Sequence, residues 1–169
     1  LLSKLVFHKN FGWAYDENPL FFYFYARLSV AFIGALVPVI SWKIGKLIKG
    51  IDFSIPAAFL TCFYPPFIIH SHYLSSDIIN TFFSFAVLMF CLLFLAENKK
   101  VWLYLACICA ALNTMEKYPE ILSYGIIFAS LGIVAFRAKP FDWRGLLHGV
   151  LLTLAVVGLS MFLFAPHLF

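Results

Sequence analysis

The stretch PPFIIHSHYLSSD, residues 65–77, sets two imidazoles, His70 and His72, and one carboxylate, Asp77, between long apolar runs. Three more polar groups stand in similarly greasy surroundings: Arg27 inside LFFYFYARLSVAF, and Lys117 and Tyr118 within MEKYPE. An arginine inside an apolar run is costly unless it is paired or snorkels to the interface. Its planar fork of donors suits a phosphodiester, so Arg27 is read first as a phosphate contact. Lys117 either neutralises a lipid phosphate or snorkels beside Glu116 and Glu120. Asp77 follows two serines and precedes an apolar run, so it caps a helix or meets a substrate there, and the two roles are compatible. Tyr118 stacks on a sugar ring or anchors the chain at a membrane interface.

A metal is the other chemistry these residue types suggest. His70 and His72 are two positions apart and do not share a helix face, so they could hold one ion together only from extended backbone. Asp77 is the sole third ligand nearby, which falls short of the three or four that zinc demands. A divalent ion is left open and no metal site is expected. Imidazoles lining a polar acceptor or phosphate pocket are the preferred reading of the two histidines.

The elements that must position these groups follow from composition. Of 169 residues, 63% are hydrophobic and 20% aromatic, while 12% are charged, and the mean hydropathy is +0.94. A soluble domain carries about 25% charged residues. Half that fraction makes membrane the expected solvent and an all-α, polytopic transmembrane helix bundle the expected fold. Apolar runs of spanning character cover residues 21–42, 55–69, 78–96, 101–115, 121–136 and 146–165, about six spans after an extracytoplasmic segment at 1–20. Pro56, Pro65, Pro66, Pro119 and Pro166 fall at span ends, whereas Pro38 should kink the first span.

The joining segments alternate in charge. KIGKLIKGIDF, ENKK and FRAKPFDWR hold Lys43, Lys46, Lys49, Lys99, Lys100, Arg137, Lys139 and Arg144, while HSHYLSSD, EKYP and APHLF hold only Lys117. The positive-inside rule makes the first set cytoplasmic and turns the second, with Asp77, His70 and His72, outward. The net charge of +4 is scattered between apolar segments and gives no nucleic-acid footprint. Cys62, Cys91, Cys107 and Cys109 lie inside apolar runs and read as small buried hydrophobes. A start at Leu1 and an end at FLFAPHLF, with no signal peptide, lead us to expect a piece of a longer membrane protein.

ARLSVAFIGALVPVISWKIGKLIKG, FYPPFIIHSHYLSSDIINTFFSFAVLMF and YLACICAALNTMEKYPEILSYG, in that order, resemble the GT-C glycosyltransferases of the protein-mannosyltransferase type (glycosyltransferase family 39, dolichyl-phosphate-mannose-protein mannosyltransferases) over roughly residues 19–136. The shared features are an Arg-Leu opening a small-residue helix, a His and then an Asp before an aromatic-rich span, and a helix ending in Lys-Tyr. The resemblance implies transfer of a mannose-like sugar from a polyprenyl- or dolichyl-phosphate carrier to a protein or glycolipid acceptor. It places that chemistry on the extracytoplasmic or lumenal face of a prokaryotic plasma membrane or the endoplasmic reticulum, with no nucleotide. It implies Asp77 in the active-site cavity. For that reaction the chemistry of the side chains makes Arg27 and Lys117 the candidates for the donor phosphate, and His70, His72 and Tyr118 the candidates for substrate. The family's acidic motif in the first outer loop has no counterpart, since Asp16 and Glu17 sit too close to the next span.

Two other classes compete with this reading. A transporter or flippase of a lipid-linked anion would use the same cations but needs polar residues through the midplane. Asn80 and Ser84 are the only hints of these, and Leu88–Leu95 is bare. A haem protein needs facing histidines, and His70 and His148 belong to opposite ends.

Overall fold

The structure, a computed structural model, describes residues 19–72, 76–116, 122–138 and 142–164. These residues form helices α1 (Pro19–Lys49), α2 (Ile51–Cys62), α3 (Pro65–His72), α4 (Ser76–Glu97), α5 (Lys100–Glu116), α6 (Leu122–Arg137) and α7 (Trp143–Phe164), with no strand among them.

The later helices match the expected spans to within a few residues. The first two depart from them. α1 continues through Pro38 and seven residues past Trp42 to Lys49. Its last turns hold Lys46 and Lys49, which the negative end of the helix dipole favours, and Lys46 lies 5.3 Å from the Trp42 ring. The helix stops at Gly50, whose φ of 76° is open to a residue without a Cβ and whose N–H returns to the Lys46 carbonyl at 3.0 Å. Residues 55–69 are not one straight span. α2 begins four residues earlier, which puts Pro56 inside it, and the chain bends by 53° between α2 and α3. The cause is local: Pro65 and Pro66 lack donors, and a proline pushes the residue before it out of helical backbone.

Length and apolarity qualify α1 and α4 to cross a membrane, and the bent α2–α3 pair would make a third crossing. Lys100–Thr114, Leu122–Arg137 and Trp143–Leu159 are apolar but shorter. Large apolar side chains face outward, among them Phe32 at 67%, Leu60 at 70% and Phe136 at 76% exposure. Contiguous apolar surface on this scale calls for lipid or protein against it.

Packing gives the helix directions. A Cβ placed on Gly34 of α1 would meet Ser71 of α3 at 3.1 Å and Ile78 of α4 at 3.3 Å. Further along, Ile40 and Ile44 of α1 pack in one cluster with Ala86 and Met89 of α4. Advancing along α1 therefore advances along α4. The two run parallel, and Lys49 and Lys99 finish at the same end. Arg137 of α6 joins that end by donating through Nη1 to the Leu95 carbonyl of α4 at 3.3 Å. α4 stops there at Asn98, which takes a left-handed φ of 53° and donates its N–H to Phe94 at 2.8 Å, an αL cap.

The core lies between α4, α5 and α6. Val87, Cys91, Phe94, Leu103, Ala106, Cys107, Ala110, Ile127 and Leu131 form one buried cluster. The small residues of α5 let its neighbours approach closely, the device by which helices associate in lipid. At Gly45 the approach is tighter still, since a Cβ there would meet the Ser54 Cα of α2 at 2.7 Å and the Phe53 carbonyl at 2.9 Å. The Ser41 and Thr61 hydroxyls bridge the same two helices at 2.9 Å.

Candidate functional site

His70 and Asp77 are brought together where α3 ends and α4 begins. The imidazole Nδ1 stands 3.5 Å from the carboxylate Oδ2, and the two side chains are 43% and 44% exposed. Gly34 makes this junction compact, because it lets both Ser71 and Ile78 against α1. α4 opens at Ser76, so Asp77 sits in its first turn and is not its cap. The dipole still favours the carboxylate there, but the pairing with His70 is a contact that capping does not require. His72 closes α3, and its side chain lies outside the described residues. Lys117 and Tyr118 also fall outside them.

Arg27 is exposed on α1. It precedes Gly34 by seven residues, two helical turns, and so shares the face that meets α3 and α4, about 10 Å nearer the helix start. Among the described residues no hydrogen bond or ion pair joins Arg27 to His70 or Asp77. No group of three or more His, Cys, Asp or Glu side chains among them could hold a metal ion.

Below the pair runs a polar seam. Asp77, Asn80 and Ser84 are spaced three and four residues apart and share one face of α4. Asn80 is 3% exposed, and among the described residues neither its amide nitrogen nor its amide oxygen has a hydrogen-bond partner. One turn deeper, the Asn113 amide of α5 donates to Ser84 Oγ at 2.9 Å and to Ser123 Oγ of α6 at 3.1 Å. Thr114 donates to the Ala110 carbonyl at 2.9 Å, and its hydroxyl lies 3.2 Å from that of Tyr124. The interior is thus more polar than Asn80 and Ser84 alone suggest. The missed residues had a signal in ALNTMEK, where Asn and Thr end a helix otherwise built of small apolar residues.

The seam does not run through the bundle. The buried cluster from Val87 to Leu131 closes it on the far side. Beyond that plug, at the end bearing Lys100 and Arg137, lies a cavity of about 590 Å³. This ligand-sized space is at the opposite end from the His70–Asp77 pair.

The class that this fold defines is an all-helical membrane protein. No family model, curated protein or solved structure matches the chain.

Proposed function

We propose that the chain is the early transmembrane region, with about six crossings, of a glycosyltransferase that moves a sugar from a polyprenyl- or dolichyl-phosphate donor to a protein or glycolipid acceptor. The reaction is assigned to the end of the bundle that carries His70 and Asp77. The observation that carries the reading is the 3.5 Å His70–Asp77 pair at the mouth of a buried polar seam, on the end away from the basic connections. The similarity of residues 19–136 to the protein-mannosyltransferase type supplies the reaction class.

In this reading the acceptor oxygen attacks the anomeric carbon, the bond from that carbon to the carrier phosphate breaks, and the acceptor proton passes to a base. Cations stabilise the departing phosphate and a carboxylate orients the hydroxyl-bearing partner. Arg27 and Lys117 take the first task. Asp77, with His70 beside it, takes the second, and His72 and Tyr118 are assigned to substrate binding. Asn80 offers a donor and an acceptor to a sugar or acceptor hydroxyl one turn below. The active face is extracytoplasmic or lumenal, opposite the lysine-bearing ends.

A second reading, a transporter or flippase of a lipid-linked anion, gains from the buried amides of Asn80 and Asn113. The apolar plug weighs against it, because Val87, Ala106, Cys107 and Ile127 are wholly buried and leave no polar path onward.

The test is Asp77→Asn in the full-length protein, assayed for transfer from polyprenyl-phosphate mannose. A half-exposed His–Asp contact contributes less than ~1 kcal/mol, so thermal stability in detergent should hardly move. Transfer should fall at least ~10²-fold, the scale of a positioned acid–base or electrostatic group. A stable Asn variant with full transfer would return Asp77 to a helix-dipole role.

A further inference from the structure

At the lysine-bearing end the helices splay around space instead of closing on it. The C-terminal turns of α4 and α6 and the first turns of α5 and α7 line a cavity of about 590 Å³, within the ~300–1,000 Å³ of ordinary ligand sites. Its wall is apolar, with Phe94, Leu103, Leu131 and Leu152. Lys100, Arg137 and His148 add charge or charge capacity from three different helices.

Topology alone explains a lysine in a loop, but it does not explain cations gathered over an apolar chamber. Arg137 uses one of its five donors on the Leu95 carbonyl, which holds the guanidinium over the end of α4. Asp142 also lines the cavity, but its Oδ1 accepts the Gly145 N–H at 2.8 Å. That carboxylate is engaged with the start of α7, where the helix dipole offsets its charge. Besides Asn98, the remaining polar lining is Lys100, Arg137 and His148, and the rest of the wall is apolar.

We propose that this cavity binds an anionic phospholipid, with its phosphate held between Lys100, Arg137 and His148 and the upper part of an acyl chain against the apolar wall. Charge complementarity selects the occupant: the rim suits a lipid phosphate, and basic pockets between transmembrane helices take anionic headgroups for that reason. A zwitterionic lipid offers the same chain but no net charge. A free phosphate offers the charge but leaves the apolar wall unused. The proposal is independent of the transfer reaction, which belongs to the other end.

The experiment is thermal unfolding and native mass spectrometry of the full-length protein in neutral detergent. Phosphatidylglycerol, phosphatidylcholine of the same chains and inorganic phosphate are added separately. Phosphatidylglycerol should be retained and raise the transition midpoint, and the other two should not. Lys100→Gln should weaken phosphatidylglycerol binding about fivefold, the factor that corresponds to ~1 kcal/mol per Lys or Arg near a membrane surface, and His148→Gln should weaken it by a smaller factor. These two variants carry the test even if Arg137→Gln fails to fold. Lys43→Gln removes the same charge away from the cavity and should have no effect. Equal retention of phosphatidylcholine, equal stabilisation by inorganic phosphate, or equal weakening by Lys43→Gln would each overturn the proposal.

Discussion

At the Asp77 end of the bundle polar side chains go inward, whereas at the Lys100 end they stay on the rim of a chamber with apolar walls. Asn80, Asn113 and Ser123 are buried between α4, α5 and α6, below the His70–Asp77 pair. Lys100 and Arg137 are exposed above Phe94, Leu103 and Leu131. Hydroxyl-rich ligands need buried amides and hydroxyls whose hydrogen bonds are worth more away from water. An anionic lipid needs surface charge and a greasy wall. In the proposed reading the two ends serve different partners, and the buried cluster of α4, α5 and α6 lies between them.

The comparison can be broken in several places. After the loss of transfer expected for Asp77→Asn, the largest effect is structural. Gly45→Ala would drive a methyl group into the Ser54 backbone, with 2.7 Å to the Cα, and should cost about 1–3 kcal/mol, the range for overpacking a filled site. Gly132, which has nothing within 4 Å of a built Cβ, should accept alanine without loss. Thermal unfolding in detergent compares the two, and equal stability would mean that α1 and α2 are not packed this closely.

Asn80→Leu probes the seam with a smaller effect of unusual sign. Removing a buried amide that has no partner among the described residues should raise stability by ~1 kcal/mol or more, while transfer falls because the hydroxyl-binding group is gone. A variant that loses stability would mean that Asn80 is already satisfied within the fold. A gain in stability with full transfer would remove it from the site.

Arg27→Lys acts on donor binding alone. It keeps the charge and loses the bidentate fork. The apparent affinity for the lipid-phosphate sugar should weaken ~10-fold, about 1.4 kcal/mol, with insertion unchanged. Unchanged affinity would leave Arg27 as a snorkelling residue.

The helical class was legible because long apolar runs with polar joints admit few alternatives in a membrane, but the number was not: six runs were expected and seven helices are described. The bounds of α4 and α6 needed only the charged and proline-bearing joints. The extension of α1 to Lys49 was not legible, since KIGKLIK reads as a basic loop until the dipole and Gly50 are considered together. The break at Tyr64–Pro65 was written in the two prolines, but the run around them is apolar enough to look like one span. The proximity of His70 and Asp77 followed from the short loop between them. The burial of Asn80 and Asn113 did not, because a helix that is apolar on every side does not say which face meets its neighbours. Lys100, Arg137 and His148 were read for topology or set aside, and only the packing of four helix ends reveals the cavity they share.

The central claim is that the His70–Asp77 end and the lysine-bearing end lie on opposite sides of the membrane, with the former outside. Single cysteines at Ser76 and Lys99, in a Cys62→Ser background that removes the exposed native thiol, test it with an impermeant thiol reagent on intact cells. The account predicts labelling of Ser76→Cys and none of Lys99→Cys until the membrane is opened. Labelling of Lys99→Cys alone, or of both positions equally, would contradict it.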